Sequence, residues 1–141
     1  MTALSKEGQI LYSTPLQQKE PFYIQYIHSI HLTPVLEKYY VDEEMNIVVD
    51  AVTYDTYGVG MPAELEEGQT FTEENGKFTL SNINRHIPFF DQRIGQVIAN
   101  HKLIIRKQEI PLSTIDSPGT SVRFQADKET IIQYWIRRFL P

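Results

Sequence analysis

Apolar and polar residues alternate with a period of two along most of this 141-residue chain, and helical periodicity is scarce. Successive side chains on a strand point to opposite faces, so the pattern demands sheets with one face buried. Phe22, Ile24, Tyr26 and His28 alternate with Tyr23, Gln25 and Ile27, which predicts a strand over 22–29. Val35, Glu37, Tyr39 and Val41 fall on one face of a strand over 35–41, with Leu36, Lys38 and Tyr40 on the other. Asp42-Glu43-Glu44 turns the chain into a strand over 45–54, whose centre Ile47-Val48-Val49 is strongly β-branched. Asn75-Gly76 carries the clearest turn chemistry: both residues tolerate positive φ, as a type I′ hairpin joining 69–72 to 77–82 requires. Shorter strands are expected over 9–13, 89–95, 101–106, 109–112 and 121–125. Residues 130–140 read as a last strand, with a short amphipathic helix capped by Asp127 as the alternative. The expectation is an all-β chain, a single domain over 1–141, forming an antiparallel β-sandwich or flattened barrel of about nine or ten short strands.

Composition narrows the function classes. The net charge is -5, and Lys and Arg are scattered, whereas a phosphate-tracking surface needs a basic stripe; no nucleic-acid partner is expected. Acids cluster at Glu64, Glu66 and Glu67 and again at Glu73 and Glu74, an edge that repels phosphate and anionic lipid alike. The absence of Cys excludes disulfides, thiolate metal sites and Cys nucleophiles. No apolar run approaches the roughly 20 residues a bilayer-spanning helix needs, and Met1 to Glu7 lacks the apolar core of a signal peptide, so the chain as given reads as soluble.

Two segments gather the polar chemistry: Tyr26-Ile27-His28-Ser29-Ile30 with Glu37 on the next strand, and Tyr54-Asp55-Thr56-Tyr57-Gly58-Val59-Gly60-Met61-Pro62. Gly58 and Gly60 do not make a phosphate loop. A phosphate cradle leads into a helix N-terminus, whereas here Pro62 and three glutamates follow, so the glycines permit a backbone bend. His28 and Ser29 are strand neighbours that point apart, and no Gly-x-Ser-x-Gly elbow is present; no catalytic residue is assigned. His28, Glu37 and His101 have no recognised metal-ligand spacing, and neither a metal nor a cofactor is expected. Glu37 is placed to accept a hydrogen bond from His28 across the two strands, either ordering the sheet or flooring a pocket. Arg93 interrupts an apolar run and either snorkels to solvent or pairs with a carboxylate; facing a pocket, it calls for a carboxylate-bearing ligand.

These segments, in order, carry a resemblance. Tyr26-Ile27-His28-Ser29-Ile30, Pro34 and Glu37, Gly58-Val59-Gly60-Met61-Pro62, Arg93-Ile94-Gly95 and Asn100-His101-Lys102-Leu103 resemble the family known as domain of unknown function 1850. The resemblance runs from about Gln9 to Leu112 and leaves the tail from Ile115 to Pro141 uncovered. It implies a small exported or membrane-tethered protein of bacteria or archaea, encoded with or fused to tripartite ATP-independent periplasmic (TRAP) transporters of the TAXI type. No enzymatic activity is established for that family. The chain departs from its pattern in lacking the hydrophobic N-terminal segment that would anchor it. The resulting expectation is an extracytoplasmic accessory or binding domain that contacts the TRAP transporter membrane subunit or its solute-binding protein, or holds a small anionic solute. His28, Ser29 and Glu37 would form the polar centre, the bend from Tyr54 through Gly58 and Gly60 to Pro62 one rim, and Arg93 with His101 a counter-charge, with Tyr26 a further candidate binding residue. Two alternatives stand beside it: a small hydrolase or metal-dependent enzyme using His28, Ser29 and Glu37, and a purely structural interaction module.

Overall fold

The computed structural model describes residues 1–28, 32–55, 64–95 and 99–126. Among these the chain is all-β: twelve strands and one 3-10 turn at Leu112–Thr114, in two antiparallel sheets that pack as an open sandwich. The strands are β1 (Thr2–Leu4), β2 (Ile10–Ser13), β3 (Phe22–Ile27), β4 (Pro34–Val41), β5 (Ile47–Tyr54) and β6 (Thr70–Glu74). They continue as β7 (Lys77–Ser81), β8 (Arg85–Ile87), β9 (Phe89–Arg93), β10 (Lys102–Ile105), β11 (Gln108–Pro111) and β12 (Ser121–Gln125). The larger sheet runs β11-β10-β3-β4-β5-β7-β6, with β8 paired to the first half of β5; the smaller runs β2-β1-β12-β9. The count exceeds the nine or ten strands expected, because β1 and β8 are three-residue strands too short to show an alternation. The strand expected at 130–140 lies outside the described residues.

The predicted turn at Asn75-Gly76 is present, with φ of 53° and 78° and with Glu74 paired to Lys77. A second two-residue turn of the same kind joins β10 to β11 through Arg106 (φ 49°) and Lys107 (φ 66°). Neither is glycine, and left-handed backbone costs such residues about 1–2 kcal/mol each. Arg106 offsets that cost with its side chain. Its Nε and one Nη donate to the two Glu20 carboxylate oxygens at 3.1 and 3.0 Å, and its other Nη donates to Thr14 Oγ1 at 3.0 Å. A further bond to the Pro15 carbonyl completes a clamp on the connection between β2 and β3.

The core lies between the sheets. Ile24, Ile47, Leu103 and Ile105 from the larger sheet meet Ala3, Val122 and Phe124 from the smaller, all fully buried. An aromatic stack crosses the interface: Phe22 on Tyr39 at 5.4 Å, Tyr39 on Phe90 at 4.6 Å, and Phe90 on Phe124 at 5.0 Å. Stacked rings add to the area they bury, so this column ties the sheets together.

A bulge in β5 sets which residues face that core. Lys38 pairs with Ala51 but Tyr39 pairs with Val49, leaving Asp50 as the extra residue. The bulge reverses the phase of the alternation. Ile47 and Val49 face inward before it, opposite Val41 and Tyr39, and Val52 and Tyr54 face inward after it, opposite Glu37 and Val35.

Candidate functional site

Glu37 sits in the middle of the inner face of the larger sheet. Its neighbours across the ladder are Ile24 on β3 and Val52 on β5, and along its own strand Val35 and Tyr39 share its face. The sequence placed Val35, Glu37, Tyr39 and Val41 together, and the structure has them so. Tyr26 and Tyr54 both oppose Val35, which makes them diagonal neighbours of Glu37. Diagonal neighbours on a sheet lie about 7–8 Å apart, within reach of a phenol ring. Three tyrosines from three adjacent strands therefore surround one carboxyl group.

The electrostatics follow from burial. Desolvation pushes the Glu37 carboxyl above the usual carboxylate range, while a hydrogen bond donated by the Tyr39 hydroxyl partly offsets the shift. Burial and the Glu37 charge together push Tyr26 up to about 12 and raise Tyr39 and Tyr54 as well, so all three phenols stay protonated at neutral pH. No cation offsets Glu37 among the described residues. Lys38 points to the other face and pairs with Asp50 at 3.4 Å, and Lys102, opposite Gln25, also lies on that outer side. No buried side-chain oxygen among the described residues lacks a hydrogen-bond partner. Glu37 itself is partly buried.

His101 closes one side of this cluster. It follows the ladder one step beyond the Lys102–Gln25 pair, and its ring lies 5.2 Å from that of Tyr26. The Gly95 N–H donates to His101 Nδ1 at 3.0 Å, so the neutral ring carries its proton on Nε2. Burial lowers the pKa of His101, which favours that neutral form. Gly95 is required for the contact: a Cβ there would collide with the Ala99 side chain and come within 3.2 Å of His101 Nδ1. The backbone of the same stretch is pinned on both sides, with Ile27 N–H donating to the Ala99 carbonyl at 2.8 Å and Leu112 N–H to the His101 carbonyl at 2.9 Å.

Two expected members of the site lie elsewhere. His28 does not reach across to Glu37. Its N–H donates to the Thr33 carbonyl at 2.8 Å and Ile27 pairs with Pro34, so Ile24 is the residue opposite Glu37. Four residues of strand separate Ile24 from His28, roughly 13 Å. The reason is register: Pro34 is already the first residue of β4 and pairs with Ile27, which sets Ile24 and not His28 opposite Glu37. Arg93 is on the exposed outer face of the smaller sheet with Phe89 and Asp91, while Phe90 and Gln92 take the inner side opposite Phe124 and Val122. It supplies no counter-charge to Glu37, and an anion placed there would meet a bare carboxylate. Ser29, Gly58, Gly60 and Pro62 lie outside the described residues. No three of the described His, Asp and Glu residues come together as a metal site.

The structure also shows residues the sequence reading did not single out. Tyr39 and Gly95 belong to the cluster just described. The first was legible as an inward tyrosine beside Glu37; the second was part of the Arg93-Ile94-Gly95 motif without a role. At the opposite end of β4, a cleft of about 320 Å³ is lined by Gln18, Lys19, Tyr40, Asp42, Glu43, Glu44 and His86. Asp42 Oδ2 is 2.7 Å from His86 Nδ1, and Asp42 Oδ1 accepts from the N–H groups of Glu44 and Asn46 at 2.9 and 2.8 Å. Those bonds hold the Asp42 carboxyl below its usual range and shape the turn between β4 and β5. No helix among the described residues is long and apolar enough to cross a membrane.

A family model described as domain of unknown function (DUF1850) matches residues 22–112. The match takes in the whole larger sheet and β9, hence every described residue of the Glu37 cluster, and leaves out β1, β2 and β12. It begins at β3, not near Gln9 as the resemblance had suggested. Neither the curated proteins nor the solved structures contain a match to the chain.

Proposed function

The chain belongs to the DUF1850 family, and on that premise we propose that it is an extracytoplasmic accessory or binding domain of a TAXI-type TRAP transporter system. The observation that carries the binding role is the Glu37 cluster: a largely buried carboxyl with Tyr26, Tyr39 and Tyr54 around it, and His101 packed on Tyr26, on the inner face of the larger sheet. A domain with a purely structural task gains little from burying a carboxyl that no cation among the described residues pairs with, since the desolvation cost is not recovered. The transporter association is what the family resemblance implies, and the Glu37 end of the sheet is the surface through which contact is made. Position-specific photo-crosslinking from residue 54, in the full-length tethered protein in its native membrane, tests this. A transporter membrane subunit or solute-binding protein should be recovered from position 54 and not from position 93 on the opposite sheet. Recovery of no transporter component from residue 54 would count against the proposal.

A further inference from the structure

We propose that the Glu37 cluster is a receptor for an alkylammonium group, with Glu37 as its anion and Tyr26 and Tyr54 as the aromatic walls. The inference deepens the binding role just proposed, and rests on that end of the sheet being the binding surface.

The geometry selects the ligand charge first. Glu37 has no cationic partner among the described residues, and the residue is only partly buried. A cationic ligand supplies the missing charge. The net charge of -5 favours its approach.

The lining then selects the kind of cation. A bare Ca²⁺ or Mg²⁺ needs about six to eight oxygen ligands, several of them charged. Here one carboxylate stands among protonated phenols, and no second acidic residue of the described set shares the inner face beside it. A weakly hydrated organic cation has the opposite requirement: one anion, and aromatic faces within about 6 Å to exploit cation–π attraction. Tyr26 and Tyr54 flank Glu37 on the neighbouring strands and are half-buried, which puts two phenol rings beside the carboxyl. Tyr39 is fixed in the core by stacking on Phe22 and Phe90 and orients the carboxylate from below. His101, neutral and protonated on Nε2, adds a polar wall without a competing positive charge.

The probes are tetramethylammonium, n-butylammonium and succinate, titrated at constant ionic strength into the whole chain and followed by amide and tyrosine NMR shifts. At least one ammonium probe should produce saturable shifts at residues 36–38 and 53–54, and succinate none. Glu37→Gln, which keeps the shape and the Tyr39 bond, should weaken that binding at least tenfold. Tyr54→Leu should weaken it about three- to tenfold; it sits at a strand end and carries the comparison if Glu37→Gln does not fold. Absence of saturable ammonium binding, or equal binding by the folded Glu37→Gln protein, would overturn the inference. Saturable succinate binding at the same residues would do so too. The outcome separates from the transporter reading: crosslinking that succeeds while ammonium binding fails removes only the ligand class, and the reverse removes only the transporter contact.

Discussion

Glu37 and His101 titrate against the fold in opposite senses. Burial raises the folded-state pKa of Glu37, so its ionised form is disfavoured in the native protein and stability falls as pH rises from the ordinary carboxylate range through the folded value. Burial lowers the folded-state pKa of His101, so stability is fully present above its ordinary value near 6.5 and is lost as pH falls toward the folded value. Glu37→Gln should flatten the first slope and leave the second, which urea unfolding across pH 4 to 8 will show. The Cε1 proton of His101 should titrate below 6.5 in NMR spectra. Gly95→Ala should move its midpoint, because the added Cβ displaces the ring from the Gly95 N–H. Tyr39→Phe removes the hydroxyl that serves a buried carboxylate and should cost about 1–3 kcal/mol at neutral pH, less in the Glu37→Gln background. The facing of Glu37 could be read from Val35, Glu37, Tyr39 and Val41, since strand alternation is local. Its partners could not: that Tyr26 and Tyr54 flank it depends on two registers, and His28 was the wrong neighbour because Pro34 already pairs with Ile27.

At the level of elements, the turn at Arg106-Lys107 makes two left-handed residues do different work. Lys107 has only strained backbone to offer, so Lys107→Gly should raise stability by roughly 0.5–1 kcal/mol. Arg106→Ala keeps much of the strain and removes the clamp on Thr14, Pro15 and Glu20, and should lower stability by about 1–2 kcal/mol, with partial screening because the side chain is half exposed. Chemical denaturation of the two variants, opposite in sign, checks the assignment. The Asn75-Gly76 turn was legible because its residue types match its φ values; Arg106-Lys107 was not, because neither residue advertises positive φ and the compensation comes from a side chain's distant partners. The bulge at Asp50 is of the same kind. An unbroken alternation through 47–54 would place Val49 and Tyr54 on opposite faces, and only pairing with β4 reveals the extra residue that brings both inward.

Across the whole molecule, the sheets share one core, and the aromatic column from Phe22 to Phe124 crosses between them. Phe124→Ala empties a fully buried site and should cost about 3–5 kcal/mol. Because Ala3, Val122 and Phe124 come from strands outside the family match, a chain trimmed to residues 22–112 should lose its inner covering and unfold without a sharp transition. The whole chain should unfold in one, and calorimetry distinguishes the two. The amino-acid sequence by itself determined the all-β class, most of the strands, the Asn75-Gly76 hairpin and the inward facing of Glu37, because each follows from period-two patterning or from the φ tolerance of adjacent residues. Only the tertiary structure decided which strands are neighbours, where the bulge reverses the alternation, and that Arg93 turns outward while Tyr26 and Tyr54 flank Glu37 and His101 packs on Tyr26. Those outcomes depend on register and sheet packing, which couple residues far apart in the chain and leave no periodic trace within any one strand.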